Sequence, residues 1–494
     1  MYAKATAMPH RNKRHILIGG NEMSQSTAQG ELCTKKRFAM PHIYVLLLMI
    51  IIVCTLATWI LPAGEFNRVT NEAGRSVVVA GTYHPIPATP VSGFKMLKSI
   101  YGGMMDAGSV IFFVMISYAA IGLIISTGAF NGLVSGLLRI FKGKSRAIII
   151  PTFITILGAA SSTIGVFEEA LPFIPIFVGI TIAMGYDAIV GLAIVALGIG
   201  IGYSGAVMNP FTVGMAQSIA EVPTMSGAGF RIFCHLSMIV VASLYTMRYA
   251  IKIQEDPTKS LLYGTEMSGA VQADADLENC RFGIREILVL VTLASGIAAI
   301  VYGTKVFGWY FEELCAIFML MGVISAAIMG WSPNNIAEKV AKSFAEMAMA
   351  AMMIGLARAI LVVLRSGSII DTVVYYMAMP LSFMPSWIAA ECMLVVQTLL
   401  NFLIPSGSGQ AVVSMPIMAP LSDLLGISRQ IAVLCFQFGD GLSNIVWPTA
   451  FAPILCAVAG ITIDKWWKWI VPLFLLLVLT QMVLVAIAMM IGFA

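Results

Sequence analysis

Apolar stretches long enough to cross a lipid bilayer recur along this chain of 494 residues. Four clear examples are 43–61, 110–126, 287–302 and 469–493. As α-helices, such stretches are near or above the length needed to cross about 30 Å of hydrocarbon. The alternating ten-residue pattern of a membrane barrel is absent, and helices are the other structure that satisfies backbone hydrogen bonds in lipid. The sequence therefore predicts an all-α membrane protein.

The charge content excludes an ordinary water-soluble enzyme. Only 11% of the residues are charged and 59% are apolar, whereas a soluble domain carries roughly a quarter charged residues. The net charge of +4 does not indicate a nucleic-acid partner, because its distribution matters more than its sum. The eight cysteines form no CxxC pair and the five histidines have no metal spacing, so we predict no disulfide, no metal and no cofactor.

The basic N-terminal segment predicts the orientation of the chain. Residues 1–40 are polar and basic, and the first apolar run is too long for a cleavable signal. We predict that 1–40 form a disordered cytoplasmic tail. By the positive-inside rule, the N-terminus then lies in the cytoplasm of a bacterial cell, with the chain in the cytoplasmic (inner) membrane as a multi-pass protein.

Two transmembrane repeats are predicted, over 41–250 and 311–494. A cytoplasmic linker and one connecting span, over 251–310, separate them, and the extra span would invert the second repeat. Each repeat has the order span, span, hairpin, broken span, span. Residues 63–104 of the first repeat predict an external loop with a small β-hairpin.

Small polar residues interrupt two apolar stretches, 147–185 and 385–425. Glycine, alanine, serine and threonine occupy the middle of the first, and Pro-Ser-Gly-Ser-Gly the middle of the second. Irregular backbone at membrane depth is tolerated only where it lines protein or water. We therefore predict two re-entrant helical hairpins with tips near the bilayer midplane.

Each predicted hairpin precedes an interrupted apolar span. The first contains a glycine-rich run at 198–205 followed by Asn209, and the second contains Asp440 between two glycines, followed by Asn444. Glycine and proline weaken helical hydrogen bonding, so both spans are expected to unwind midway. Inverted repeats with discontinuous helices are typical of secondary transporters that work by alternating access.

The chain resembles the YfcC-like family, which is described as basic amino-acid antiporters. The residues that carry the resemblance are Pro-Ala-Gly-Glu-Phe at 62–66, Gly-Thr-Tyr at 81–83 and the two Ser/Gly-rich hairpins. The resemblance covers 38–492. It implies the elevator fold of the ion transporter superfamily and a homodimer. It also places the chain near arginine/ornithine exchangers and four-carbon dicarboxylate carriers. Members of the superfamily often carry Ser-Asn-Thr at the tips for sodium and carboxylate; this chain does not, so H+ and Na+ both stay open as coupling ion.

The hairpin tips are candidate binding sites for a substrate carboxylate. Helix N-termini offer unpaired N–H groups to anions, and the helices after the tips are expected to begin near Gly165 and Ala411. Serine and threonine hydroxyls would add donors. The alternative is that these residues only cap the helices. The candidate tip residues are Ser161, Ser162, Thr163, Ser406, Gly407 and Ser408.

Acidic residues within the apolar stretches indicate a second part of the site. A carboxylate in the bilayer centre is costly, so it normally faces a cavity and has a role. We predict that Glu168 or Glu169, together with Asp440, binds an ammonium or guanidinium group. The alternative is that these acids form a proton or sodium site and that the substrate is a different one. Asn209 and Asn444 complete the candidates, either as ligands of a substrate or cation or as contacts between helices.

The position of Arg358 distinguishes between two candidate substrate classes. By default we expect it to pair with Glu346 or Glu391, and the substrate is then an amino acid, most simply a basic one such as arginine or ornithine. A cavity-facing Arg358 would favour a proton- or sodium-coupled carrier of four-carbon dicarboxylates. An intramembrane enzyme is disfavoured, because no HExxH, paired aspartates or Ser/His arrangement is present. Tryptophans 466, 467 and 469, beside two lysines, predict an interfacial anchor.

Overall fold

The computed structural model describes residues 41–70, 76–79, 81–130, 143–265 and 283–494. The predicted tail at 1–40 and most of the predicted linker lie outside these residues. Within them, nine helices are long and apolar enough to cross a membrane. The prediction of an all-α membrane protein is confirmed, and the strands that occur lie in one loop.

The first half of the chain begins with a span and a strand-containing loop. Strand β1 (Gly64–Glu65) pairs antiparallel with β4 (His84–Pro85), and β2 (Arg68–Thr70) pairs with β3 (Ser76–Val78). A short 3-10 helix (Glu168–Phe173) precedes α5. The helices of this half are α1 (Ile43–Ile60), α2 (Gly93–Asp106), α3 (Gly108–Ser126), α4 (Ile149–Ile164), α5 (Ile174–Ala183), α6 (Ala188–Ser204), α7 (Val213–Ile219) and α8 (Ala228–Glu255).

The second half follows a connecting helix, α9 (Ile284–Phe307). Its helices are α10 (Phe311–Ile328), α11 (Pro333–Ser366), α12 (Ile370–Ala378), α13 (Ser386–Leu403), α14 (Gly407–Leu424), α15 (Arg429–Ser443), α16 (Ala452–Ala459) and α17 (Ile463–Met490).

Several helices of the two halves have similar lengths. α2 and α3 together cover 93–126, and α11 covers the same number of residues, 34, in one continuous helix. α8 and α17 contain 28 residues each. Ser92 and Ser332 cap α2 and α11 in the same way, each accepting a hydrogen bond from the backbone N–H three residues later.

The loop after α1 is shorter than the sequence predicts. The expected small β-hairpin is present as β2 and β3, but the loop predicted over 63–104 ends at Ser92, because α2 begins at Gly93. Arg68 fixes the loop to α12 with Nη2 2.8 Å from both carboxylate oxygens of Asp371, which is 4% exposed.

Both predicted hairpins are helix–turn–helix units, and both predicted broken spans are interrupted. α4 turns into the 3-10 helix through residues 165–167, and α13 turns into α14 through 404–406. α6 stops at Ser204 and α15 at Ser443, and each is followed by about eight irregular residues before the next helix.

Neither glycine cluster unwinds, contrary to our prediction, since Gly439 and Gly441 also lie within α15, which ends at Ser443. The residues from Gly198 to Gly202 remain helical, and the chain leaves the helix at Gly205. Close helix packing explains the glycines. A Cβ on Gly202 would lie 2.4 Å from the Cβ of Ser161 in α4, so only glycine permits this approach.

The two broken helices cross with their backbones almost in contact. A Cβ on Gly441 of α15 would lie 2.2 Å from the backbone nitrogen of Ser204 in α6. Gln437 donates to two carbonyls at the end of α6, those of Tyr203 (3.3 Å) and Ala206 (2.9 Å). Gln481 of α17 donates to the Ser204 hydroxyl at 2.7 Å. The second half of the chain therefore supplies hydrogen-bond donors to the end of α6.

The predicted tryptophan anchor is wrong for two of its three members. Trp466 is 0% exposed and Trp469 is 2% exposed. The indole of Trp466 donates to the carbonyl of Ile445 at 2.9 Å, and that of Trp467 donates to Val446 at 2.8 Å. Both carbonyls lie in the break after α15. These tryptophans hold the irregular backbone in place by satisfying its acceptors.

Gly441→Ala tests the close crossing. The added methyl group would meet backbone, which cannot rotate away, so we expect a loss of about 1–3 kcal/mol and a lower melting temperature in detergent. Gly229→Ala in α8 is the matched control, because nothing lies within 4 Å of its Cβ position. Equal melting temperatures for the two variants would contradict a backbone-to-backbone contact at Gly441.

Candidate functional site

A cavity lies between the turns of the two hairpins. It contains roughly 1080 Å³ of empty space, part of it open to solvent. Its lining includes both hairpin turns, both breaks, α3, α11 and the start of α10. Aromatic side chains supply much of the wall, and Phe167 contacts Tyr203 and Phe451 with ring centroids 4.7 Å apart in each case. An apolar wall with a few polar groups is typical of a small-molecule site.

The turn of the first hairpin presents two carboxylates to the cavity. Glu168 and Glu169 both line it and occupy the first turn of the 3-10 helix. Glu169 Oε2 accepts a hydrogen bond from the backbone N–H of Phe167 at 2.9 Å, so this carboxylate caps its own turn. Glu168 is therefore the acid that is free to bind a cationic group.

The turn of the second hairpin presents a helix N-terminus instead. Ser406, Gly407 and Ser408 all line the cavity. Ser406 caps the helix, since its hydroxyl accepts from the N–H of Gly409. The N–H groups of the first residues of α14 have no partner within the helix and carry its positive dipole end. This turn suits a carboxylate.

The serine and threonine residues predicted at the first tip lie outside the cavity lining. Ser161 donates to the carbonyl of Ile199 at 3.0 Å, Ser162 to that of Gly205 at 3.3 Å, and Thr163 to that of Ala159 at 2.7 Å. The helix after the first tip begins as a 3-10 helix at Glu168 rather than at Gly165, which ends α4 at φ +81°, and the helix after the second tip begins at Gly407 rather than near Ala411. The two buried serines therefore join α4 to the end of α6, and Thr163 bonds within α4, rather than facing a substrate.

Asn209 and Asp440 also lie outside the lining, whereas Asn444 lies within it. Asn209 holds the first break, donating to Ser161 O at 3.3 Å and accepting from the N–H of Phe211 at 2.9 Å. Asp440 is fully buried, and its Oδ1 accepts from Asn401 at 2.9 Å. A methyl group on Gly407 would lie 2.9 Å from Asp440 Oδ2, so this carboxylate sits directly behind the second turn.

Arg358 lines the cavity and pairs with neither predicted partner. Its Nε lies 3.2 Å from Oδ2 of Asp106, at the end of α2. The sequence could not identify this pair, because the two residues lie in different halves of the chain. Tyr310 and Thr212 are further lining residues that the sequence did not indicate.

The sequence of the chain matches one family model over nearly its whole length. The model is that of the C4-dicarboxylate anaerobic carriers, DcuC, and it matches residues 40–490. The chain belongs to the DcuC family. With its nine apolar helices among the described residues, this member of the DcuC family is a multi-pass membrane protein of a transport family.

Relatives of this DcuC-family member agree with the resemblance seen in the sequence. An Escherichia coli protein named "Putative basic amino acid antiporter YfcC" is 29% identical over 477 residues, which cover 88% of this chain and 93% of the relative. An uncharacterized protein of Haemophilus influenzae is 29% identical over 498 residues, covering 92% and 97%. The predicted likeness to the YfcC-like family is confirmed.

Two solved structures share low similarity with this DcuC-family chain. The YdaH transporter of Alcanivorax borkumensis is 16% identical with a TM-score of 0.43, covering 92% of this chain and 99% of that one. MtrF of Neisseria gonorrhoeae, described among antimetabolite efflux pumps, is 15% identical with a TM-score of 0.40, covering 91% and 95%.

Thiol labelling distinguishes the two sets of predicted serines. In a variant without native cysteines, we expect Ser408→Cys to react with a small water-soluble thiol reagent, because Ser408 lines the open cavity. Ser162→Cys should react at least tenfold more slowly, since Ser162 is 2% exposed and hydrogen-bonded to the end of α6. If the two cysteines react at equal rates, it is wrong that Ser408 lines the cavity while Ser162 lies outside it.

Proposed function

We propose that this chain is a secondary active transporter of a basic amino acid such as arginine or ornithine. The observation that carries the proposal is the pairing of opposite charges across one cavity. Glu168 lies at one hairpin turn, and the N-terminus of α14 lies at the other. A molecule with a cationic side chain and a carboxylate would engage both turns at once. The name of the Escherichia coli relative supports the same substrate class.

The roles of the two turns follow from elementary electrostatics. The free Glu168 carboxylate would bind the guanidinium or ammonium group, and the N–H groups of Gly407 and Ser408 would bind the carboxylate with help from Arg358. Two unit charges about 4–5 Å apart attract by roughly 3–4 kcal/mol at an effective dielectric constant near 20. Loss of hydration offsets part of this gain. Two such contacts are enough to orient a small solute.

A four-carbon dicarboxylate is the second candidate substrate. Arg358 lines the cavity, and the matching family model is that of C4-dicarboxylate carriers. Glu168 and Glu169 weigh against it, because a dianion would meet two acids and one arginine in the same lining. Like charges at close range disfavour binding. The basic amino acid is therefore the better match to this cavity.

We further propose that the two halves are inverted repeats related by a two-fold axis. When the start of α2 is aligned with the start of α11, Asp106 corresponds to Glu346 and Tyr118 to Arg358. Asp106 pairs with Arg358, and Glu346 lies close enough to Tyr118 to interact with its hydroxyl, so each contact would be the symmetry mate of the other. Reciprocal contacts of this kind are what a two-fold relation produces.

The remaining parts of the proposal follow from the family resemblance. The hairpins and broken helices would move against the other spans as an elevator during alternating access. The transporter would act as a homodimer in the bacterial inner membrane, with its N-terminus in the cytoplasm. Exchange and ion-coupled uptake are both compatible with this cavity.

The coupling ion, H+ or Na+, would act at Asp440. Oδ2 of Asp440 and Oδ1 of Asn444 are buried and have no hydrogen-bond partner among the described residues. Asp440 belongs to α15 and lies directly behind the second hairpin turn, and Asn444 follows α15 and lines the cavity. An unpaired buried carboxylate oxygen is costly unless a proton or cation neutralises it. Asp440 is thus assigned to coupling rather than to the substrate.

Glu168→Gln tests the cationic end of the site. We expect it to raise the KM for arginine and ornithine at least tenfold in proteoliposome counterflow, because the substrate cation loses its carboxylate. Glu338→Gln is the matched control, as Glu338 is exposed at the start of α11. A dicarboxylate carrier would be supported instead if Glu168→Gln leaves arginine uptake unchanged and succinate competes better than arginine or ornithine.

Asp440→Asn separates coupling from substrate binding. We expect the variant to lose uptake driven by a proton or sodium gradient while keeping arginine exchange across the membrane, because the amide has no negative charge for the ion to neutralise. The same proteoliposomes serve for both measurements. Loss of exchange together with gradient-driven uptake would show that Asp440 acts on the substrate itself.

A further inference from the structure

We propose that Asp106 determines the charge class of the substrate by neutralising Arg358, so that dianions are excluded from the cavity. The proposal rests on the proposed function only in treating the cavity between the hairpin turns as the transport site. Asp106 itself lies outside the cavity lining and is a positioning residue that acts through Arg358.

The carboxylate of Asp106 bridges two arginines of α11. Oδ2 lies 3.2 Å from Nε of Arg358, and Oδ1 lies 3.7 Å from Nη1 of Arg365. Of the two arginines, Arg358 lines the cavity. The bridge therefore brings a negative charge against the one cationic side chain in the described lining.

Asp106 is the last residue of α2, at a short helix interruption. Ala107 leaves helical geometry with ψ at 4° before α3 begins. At the corresponding place in the second half, α11 runs through Glu346 without interruption. The length of the span does not require a break at this point, since the counterpart with the same number of residues has none. The Asp106–Arg358 contact lies at this interruption.

The charges of the lining explain how the site would select cationic amino acids over dianions. Glu168 and Glu169 are the acids of the lining, and Arg358 is its base. These three charges leave the lining net negative, and Asp106 against Arg358 makes the site one charge more negative, which favours cationic amino acids and strengthens the repulsion of dianions. Asp106 engages the guanidinium through Nε, and the Nη groups of its planar fork remain for one substrate carboxylate. A substrate with one carboxylate can therefore bind to Arg358. The second carboxylate of a dianion would be repelled by Glu168 and Glu169.

A purely structural role for Asp106 would give a different result. If the bridge only held α2 against α11, its loss would lower stability and weaken the binding of all substrates alike. If it sets the charge of the site, its loss changes the ratio between substrates. The ratio of two dissociation constants is therefore the decisive quantity.

The test measures the dissociation constants of arginine and succinate for the purified full-length protein by isothermal calorimetry. We expect Asp106→Asn to bind succinate at least tenfold more tightly than the wild type and arginine severalfold more weakly. Asp106→Glu, which keeps the charge, should restore the wild-type ratio. Asp464→Asn, which removes a carboxylate paired with Lys468 away from the cavity, should change neither constant.

An unchanged succinate affinity in Asp106→Asn would overturn the proposal. If the wild type fails to bind arginine, the proposed substrate is wrong, but the gain in succinate affinity still decides the role of Asp106. Should Asp106→Asn not fold, Arg365→Gln makes the opposite change, because Asp106 then neutralises Arg358 alone. Succinate binding should weaken severalfold in that variant, and equal or tighter binding would contradict the proposal.

Discussion

The close crossing of the two broken helices is the constraint on which the rest of the structure depends. α6 and α15 meet backbone to backbone at Ser204 and Gly441, where no side chain fits between them. Both helices end within a few residues of this contact. Carbonyls at the end of α6 accept from Gln437, and those in the break after α15 accept from Trp466 and its neighbour. Because these acceptors are satisfied, the chain can unwind there without leaving them unpaired.

The hairpin turns rest on these breaks, and they differ in charge although their construction is similar. The first turn uses Glu169 to cap its own N–H groups and offers Glu168. The second turn uses Ser406 as its cap and offers the N-terminus of α14. Two helix–turn–helix units with different side chains give the cavity an acidic turn on one side and a helix N-terminus on the other. A solute with two unlike charged ends then has only one good orientation.

The family model is named for dicarboxylates and the Escherichia coli relative for basic amino acids, and the charged residues of the cavity include groups that suit each. An arginine in the cavity suits the carboxylates that carriers of the DcuC family are named for. Glu168 in the same cavity suits the cationic group of a basic amino acid. In our proposal, Asp106 favours the basic amino acid, because it neutralises Arg358 from outside the cavity lining. Substrate charge class could thus differ between related chains through residues that never touch the substrate.

The amino-acid sequence alone determined the spans, hairpins and breaks. It did so through two local properties, the length of the apolar stretches and the placement of small polar residues, because lipid does not tolerate unpaired backbone groups. The same local signals also indicated Glu168, Glu169 and the second turn as parts of the site. Tertiary structure alone decided which polar groups face the cavity. Ser162 and Trp466 turned toward neighbouring backbone, and Arg358 paired with Asp106 from the other half. A side chain's partner depends on which helices pack together, and sequence spacing carries no information about helices that meet only in the folded chain.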